Sequence, residues 1–98
     1  MTITKPKQNS VSALAKTLAI AGDKSRLKIL CLIFNNRGMC VSDIAKKLDM
    51  SVATASHHLL VMAKEGLLEP TREGKRACYF FKSTRLTNDL KKFICKYK

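Results

Sequence analysis

The chain has 98 residues, room for one domain that buries a limited share of its surface, so an added interface would help to stabilise it. Lys and Arg number 19 against 7 acidic residues, a formal charge of +12; that excess opposes the compact state by self-repulsion and implies a polyanionic partner. The longest apolar run, Ile29 to Phe34, is six residues, which excludes a membrane span, and the first dozen residues are polar and basic, which excludes a secretory signal and makes a cytoplasmic protein the expectation.

Residues 1 to 9 read as a disordered basic arm. No repeat or low-complexity block follows, so residues 10 to 98 form one domain. From Ser10, an N-cap by residue type, Val11, Leu14, Ala15 and Leu18 fall at helical spacing, and Gly22 stops this first helix. Asp23 caps a second helix in which Leu27, Ile29, Leu30, Leu32, Ile33 and Phe34 are apolar nearly all round, which places it at the centre of the core. It ends at Asn35, Asn36 and Gly38.

A short extended link, Met39 to Val41, leads to Ser42, read as the cap of a third helix that carries Ile44, Ala45 and Leu48, with Asp43 in its first turn suiting the helix dipole. Asp49 and Met50 turn the chain, and Ser51 caps a fourth helix that runs to about Lys64 and is ended by Gly66. Leu67 to Arg72 and Arg76 to Lys82 read as two strands around Glu73-Gly74-Lys75, with Gly74 supplying the positive φ of a hairpin tip. The last segment sets Leu86, Leu90, Phe93, Ile94 and Tyr97 on one helical stripe; with the first helix, that stripe is the expected homodimer interface.

The order helix, helix, extended link or short strand, helix, helix, strand, strand, helix is mainly α with a small β-hairpin wing, a winged helix-turn-helix. On a wheel of about 100° per residue, Val52, Ala55, Leu59, Met62 and Ala63 fall on one side of the fourth helix, and Ala53, Thr54, His57, Val61 and Lys64 on the other. A recognition helix needs this asymmetry: one face locks to the third helix while short side chains let the amino end enter a major groove. Alone, the segment is equally an ordinary surface helix; the basic hairpin beside it turns the reading toward double-stranded DNA. Arg72, Lys75 and Arg76 flank the hairpin tip, where they meet phosphates or form a solvated charged turn. Lys5, Lys7, Lys91, Lys92, Lys96 and Lys98 are assigned only long-range attraction.

Cys40-Val41-Ser42-Asp43-Ile44-Ala45-Lys46-Lys47-Leu48, then Ser51 to Leu59, Glu65-Gly66-Leu67 and Gly74-Lys75-Arg76 before Tyr79, resemble the ArsR/SmtB family over nearly the whole chain. The resemblance implies a winged-helix homodimer that represses an operator and leaves it when an inducer binds. It implies that Ser56 and His57 contact the operator, and that His58 has a hydrogen-bonding, mainly structural role. Val52 and Ala53 stand where relatives often have polar side chains.

The resemblance also bears on the inducer. A Cys-x-Cys pair on the third helix holds soft metals in such proteins, but here Cys40 is followed by Ser42; the last helix has Asp89 and no His. Neither metal site is complete. Cys31, in Arg26-Leu27-Lys28-Ile29-Leu30-Cys31, and Cys95, in Phe93-Ile94-Cys95, resemble the redox-sensing pair of the BigR and HlyU type of persulfide and oxidant sensors. Cys31 reads equally as an inert core thiol, Cys78 as packing, and Cys40 as a member of a nonstandard metal set with Cys31 or Cys95. The four cysteines lie far apart in a compartment that keeps thiols reduced, so no structural disulfide framework is expected, and any bond between them is expected to be regulatory.

The inducer is thus a sulfur species or a metal, or there is none. An RNA- or protein-binding winged helix is the alternative function. No cofactor and no enzyme is expected: there is no glycine-rich phosphate loop, and adjacent His57 and His58 point about 100° apart on a helix, too divergent to act on one atom.

Overall fold

The structure, a computed structural model, describes residues 10–97. The expected arm at 1–9 and Lys98 lie outside the described residues. Five helices and three strands follow in the order α1 (Val11–Ala21), α2 (Lys24–Asn36), β1 (Met39–Cys40), α3 (Val41–Lys47), α4 (Val52–Lys64), β2 (Leu68–Glu73), β3 (Arg76–Phe81) and α5 (Arg85–Cys95). This is the winged helix-turn-helix order expected from the sequence. No helix among the described residues is long and apolar enough to cross a membrane.

Side-chain caps set most helix starts. Ser10 accepts from the Ala13 amide, Asp23 from Arg26, Ser51 from Thr54, and Thr84 from Thr87 with the reciprocal bond that completes a capping box. The third helix departs from expectation. Cys40 is its N-cap and makes no side-chain cap bond, so Ser42 lies inside the helix rather than before it. Pairing of β1 into the sheet explains the shift, because the extended backbone has to end where the ladder ends.

The link between the second and third helices is a strand in its own right. β1 pairs antiparallel with β3, Met39 opposite Tyr79 and Cys40 opposite Cys78, and β2 pairs with the other edge of β3. The sheet order is therefore β1-β3-β2, three strands rather than the two of a bare hairpin. Only Gly74 and Lys75 separate the paired residues Glu73 and Arg76, and Gly74 has φ +66°, the demand of a two-residue turn with glycine first. Gly38, at φ +113°, passes against the Phe80 ring, which leaves no room for a Cβ.

Ile29, Leu30 and Ile33 of α2, Ile44 of α3, Ala55, Leu59 and Met62 of α4, and Leu67 and Leu68 are the sealed centre of the core. Ala45 is also buried where α3 packs on α4, its small side chain allowing close approach. Two wheel assignments change. Val52, the first residue of α4, is 56% exposed, and Leu90 and Ile94 belong to the chain's own core rather than to an outer stripe. Phe93 and Tyr97 do remain outside, with Leu14 and Leu18 of α1 near Phe93, and Val11 is exposed as well.

Candidate nucleic-acid interface

The amino end of α4 is built around one hydroxyl. Ser51 Oγ accepts from the Thr54 amide at 3.0 Å and donates to Thr54 Oγ1 at 2.9 Å, so both side chains are fixed at the helix mouth. Ala53 and His57 are exposed beside them, and Ser56 is half-buried. These five residues share the first two turns. Lys64, also exposed, is ten residues beyond Thr54, about 15 Å along the axis, and its charge suits the carboxyl end of the helix.

His58 turns the other way. Its Nδ1 accepts from Arg26 Nε at 3.2 Å, which ties α4 to α2. The same arginine contributes the backbone N–H that caps on Asp23 at 3.0 Å; that bond, more than the nearby Arg26 and His58 charges, holds the Asp23 carboxyl below its ordinary range. Carboxylate, guanidinium and imidazole therefore line the seam between α2 and α4.

All three wing cations are exposed, but they have different partners. Arg72 donates to the Lys75 carbonyl at 3.3 Å across the turn. Arg76 donates to Asp43 Oδ2 at 2.7 Å and reaches Ser42 Oγ at 3.4 Å, joining the wing to α3. Arg76 is thus already engaged, whereas Lys75 at the tip is exposed. Lys91, assigned only long-range attraction, has its Nζ 5.4 Å from the centre of the Phe34 ring and 5.5 Å from that of Phe81.

The sulfurs divide into two places. Cys31, half-buried on α2, lines an apolar cleft of about 390 Å³ with Leu18, Leu27, Leu90, Phe93 and Tyr97. Cys95 ends α5, is exposed, and is not among the residues lining that cleft. Both carry free thiols. Cys40 and Cys78, by contrast, are bonded to each other as a disulfide across the β1–β3 pair. A single bond of this kind is outside the disulfide framework that was not expected; Cys78 is bonded as well as packed, and the sulfur beside Cys40 is neither Cys31 nor Cys95. Separation by 38 residues hid the pair in the sequence. The register that sets Cys40 opposite Cys78 was the missing information.

The family profile "Bacterial regulatory protein, arsR family" matches residues 23–69, which run from the cap of α2 to the first residues of β2. The chain is 40% identical over 79 residues to the cadmium resistance transcriptional regulatory protein CadC of Listeria innocua, covering 81% of this chain and 64% of that protein. It therefore spans a little under two thirds of that relative's length. An uncharacterized HTH-type transcriptional regulator of Methanocaldococcus jannaschii is 36% identical over 70 residues, with 71% of this chain and 79% of that one covered. Among solved structures, a homodimeric winged helix-turn-helix DNA-binding domain from Mycobacterium bovis, described as a possible ArsR-family regulator, superposes with a TM-score of 0.73 at 25% identity, covering 98% of this chain and 85% of that one.

Proposed function

The chain belongs to the arsR family of bacterial regulatory proteins, and from that premise we propose that it is a transcriptional repressor that binds a near-palindromic duplex operator as a homodimer. One observation carries the reading. The outer surface of α4 at its amino end is exposed, short and polar, with basic residues on the neighbouring hairpin. Ser51, Thr54, Ser56 and His57 offer hydrogen bonds to base edges, and Ala53 offers a methyl contact to thymine. Lys64, Arg72 and Lys75 meet phosphates, which fix position without reading sequence, and Arg76 does so by exchanging its Asp43 partner for one. The protein is then a cytoplasmic regulator with no catalytic role.

The exposed apolar residues of α1 and α5 support pairing of two copies through the first and last helices. The homodimeric state of the Mycobacterium bovis domain points the same way. Two copies of α4 then enter successive major grooves, about 34–36 Å apart. Release follows thiol modification of Cys31, with Cys95 as the second thiol: both sulfurs are free, and α2 packs on α5, so a modified Cys31 in the cleft displaces the last helix.

Electrophoretic shifts over a range of salt, with duplex DNA against single-stranded and hairpin RNA, test the reading. Duplex preference with affinity falling linearly in log salt is expected. Binding that ignores duplex DNA, or footprints covering a single half-site, would overturn it. Polysulfide treatment of the reduced chain is expected to weaken DNA binding, while Cys31→Ser stays bound; an equal response in that variant removes the thiol signal.

A further inference from the structure

Among the described residues, one group of metal-ligating side chains converges outside the α4 surface. Cys40 of β1, Cys78 of β3 and Glu73 at the end of β2 bring two sulfurs and a carboxylate oxygen within 4.8 Å of one another. Both cysteines are buried, Glu73 is exposed, and all three line an open cleft of about 880 Å³ between the wing and α3. The three donors sit on neighbouring strands of one sheet, so no loop has to be ordered to assemble them.

We propose that the reduced Cys40/Cys78 pair, with Glu73 as third ligand, is a binding site for a thiophilic divalent cation such as cadmium or zinc. Two thiolates and one carboxylate are a soft donor set; magnesium and calcium, which need shells of oxygen, are excluded. The donor set carries three negative charges in a chain of formal charge +12, and a divalent ion leaves a net charge of minus one beside Lys46, Lys47 and Arg76. Asp43 also lines the cleft but is held by Arg76 at 2.7 Å, so the fourth position faces solvent.

Disulfide and ion exclude each other. Oxidation by hydrogen peroxide removes one hydrogen from each thiol, forms the Sγ–Sγ bond and yields two waters; a dithiol reductant reverses it with its own oxidation to a disulfide. Binding the ion sends both thiol protons to solvent, so affinity rises with pH. The site differs from the Cys31 and Cys95 thiols in both residues and ligand. Its existence does not depend on DNA binding.

The test uses the full chain with Cys31→Ser and Cys95→Ser, which leaves Cys40 and Cys78 as the only thiols, reduced and titrated anaerobically with cadmium. Ultraviolet thiolate-to-cadmium charge-transfer absorbance is expected to saturate at one ion per chain. It should vanish after peroxide treatment and return on reduction, a control that needs no further variant to fold. Adding Cys78→Ser should abolish it. Glu73→Gln, at an exposed position, should weaken binding at least about tenfold, the loss known for outer-sphere partners. Absence of the band in the reduced chain, its survival in Cys78→Ser, or undiminished affinity in Glu73→Gln would each overturn the proposed ligand set.

Discussion

The wing side and the α1/α5 flank solve the problem of a small domain in opposite ways. On the wing side most outer residues are charged or short, with Val52 and Leu60 the large apolar exceptions, and much is covered within the chain: Leu59 and Ile44 are fully buried, Cys40 meets Cys78, and Arg76 closes on Asp43. On the flank, Val11 at 82%, Tyr97 at 77% and Phe93 at 57% exposure are large apolar groups left in water. Completing that flank requires a second surface, whereas the wing side is stable in solvent and free to meet a ligand. The contrast teaches that burial within one chain marks the half whose structure is self-sufficient.

The sharpest way to break the comparison is a pair of truncations. Leu59→Ala is expected to lower unfolding free energy by about 2–5 kcal/mol in denaturant titrations, because a sealed side chain leaves a cavity. Phe93→Ala should cost the dilute chain about 0.5 kcal/mol or less, as surface changes do, and instead reduce self-association in sedimentation. Equal losses of stability in the two variants would erase the distinction.

A smaller effect probes the joint between sheet and core. Gly38→Ala should destabilise by more than about 1 kcal/mol, since the backbone is at φ +113° and a Cβ would fall on the Phe80 ring. Thermal unfolding reads this directly; an unchanged midpoint would mean that β1 is not held against the wing. Ser51→Ala should cost about 1 kcal/mol through loss of the cap on the Thr54 amide. Its amide-exchange signature should be confined to the first turn of α4; uniform loss of protection would mean that the hydroxyl holds more than that turn.

The smallest effects are electrostatic. Arg76 and Asp43 are about half exposed, so a double-mutant cycle should find at most about 1 kcal/mol between them, decreasing with salt. For Asp23 the sign follows from a folded pKa below the ordinary 3.8. Its contribution is fully present above that value and is lost as pH falls through the lowered folded value. The stability difference between wild type and Asp23→Asn should therefore be flat near neutrality and change only in acid; a change centred near neutral pH would implicate another group.

Local signals found the helices because they are written in neighbouring residues. Ser10, Asp23 and Ser51 announced three caps, and the apolar spacing of α2 announced a central helix. Ser42 misled for a physical reason: a capping residue type is an opportunity, and the pairing of Met39 and Cys40 with β3 started α3 two residues earlier. The polar start of α4 and the wing cations were legible by type. That Arg76 spends its charge on Asp43, while Lys75 stays at the tip, was not.

By itself the sequence determined the order of elements, the glycine turn at Gly74, the surplus of positive charge and the short polar beginning of α4, since each depends on residue type and spacing along the chain. Tertiary structure alone decided that Cys40 faces Cys78 and Glu73, that His58 accepts from Arg26, and that Leu90 and Ile94 turn inward while Phe93 and Tyr97 do not. Those outcomes depend on strand register and on which helix faces meet. Both are set by distant segments competing for the same buried volume, and no local window contains them.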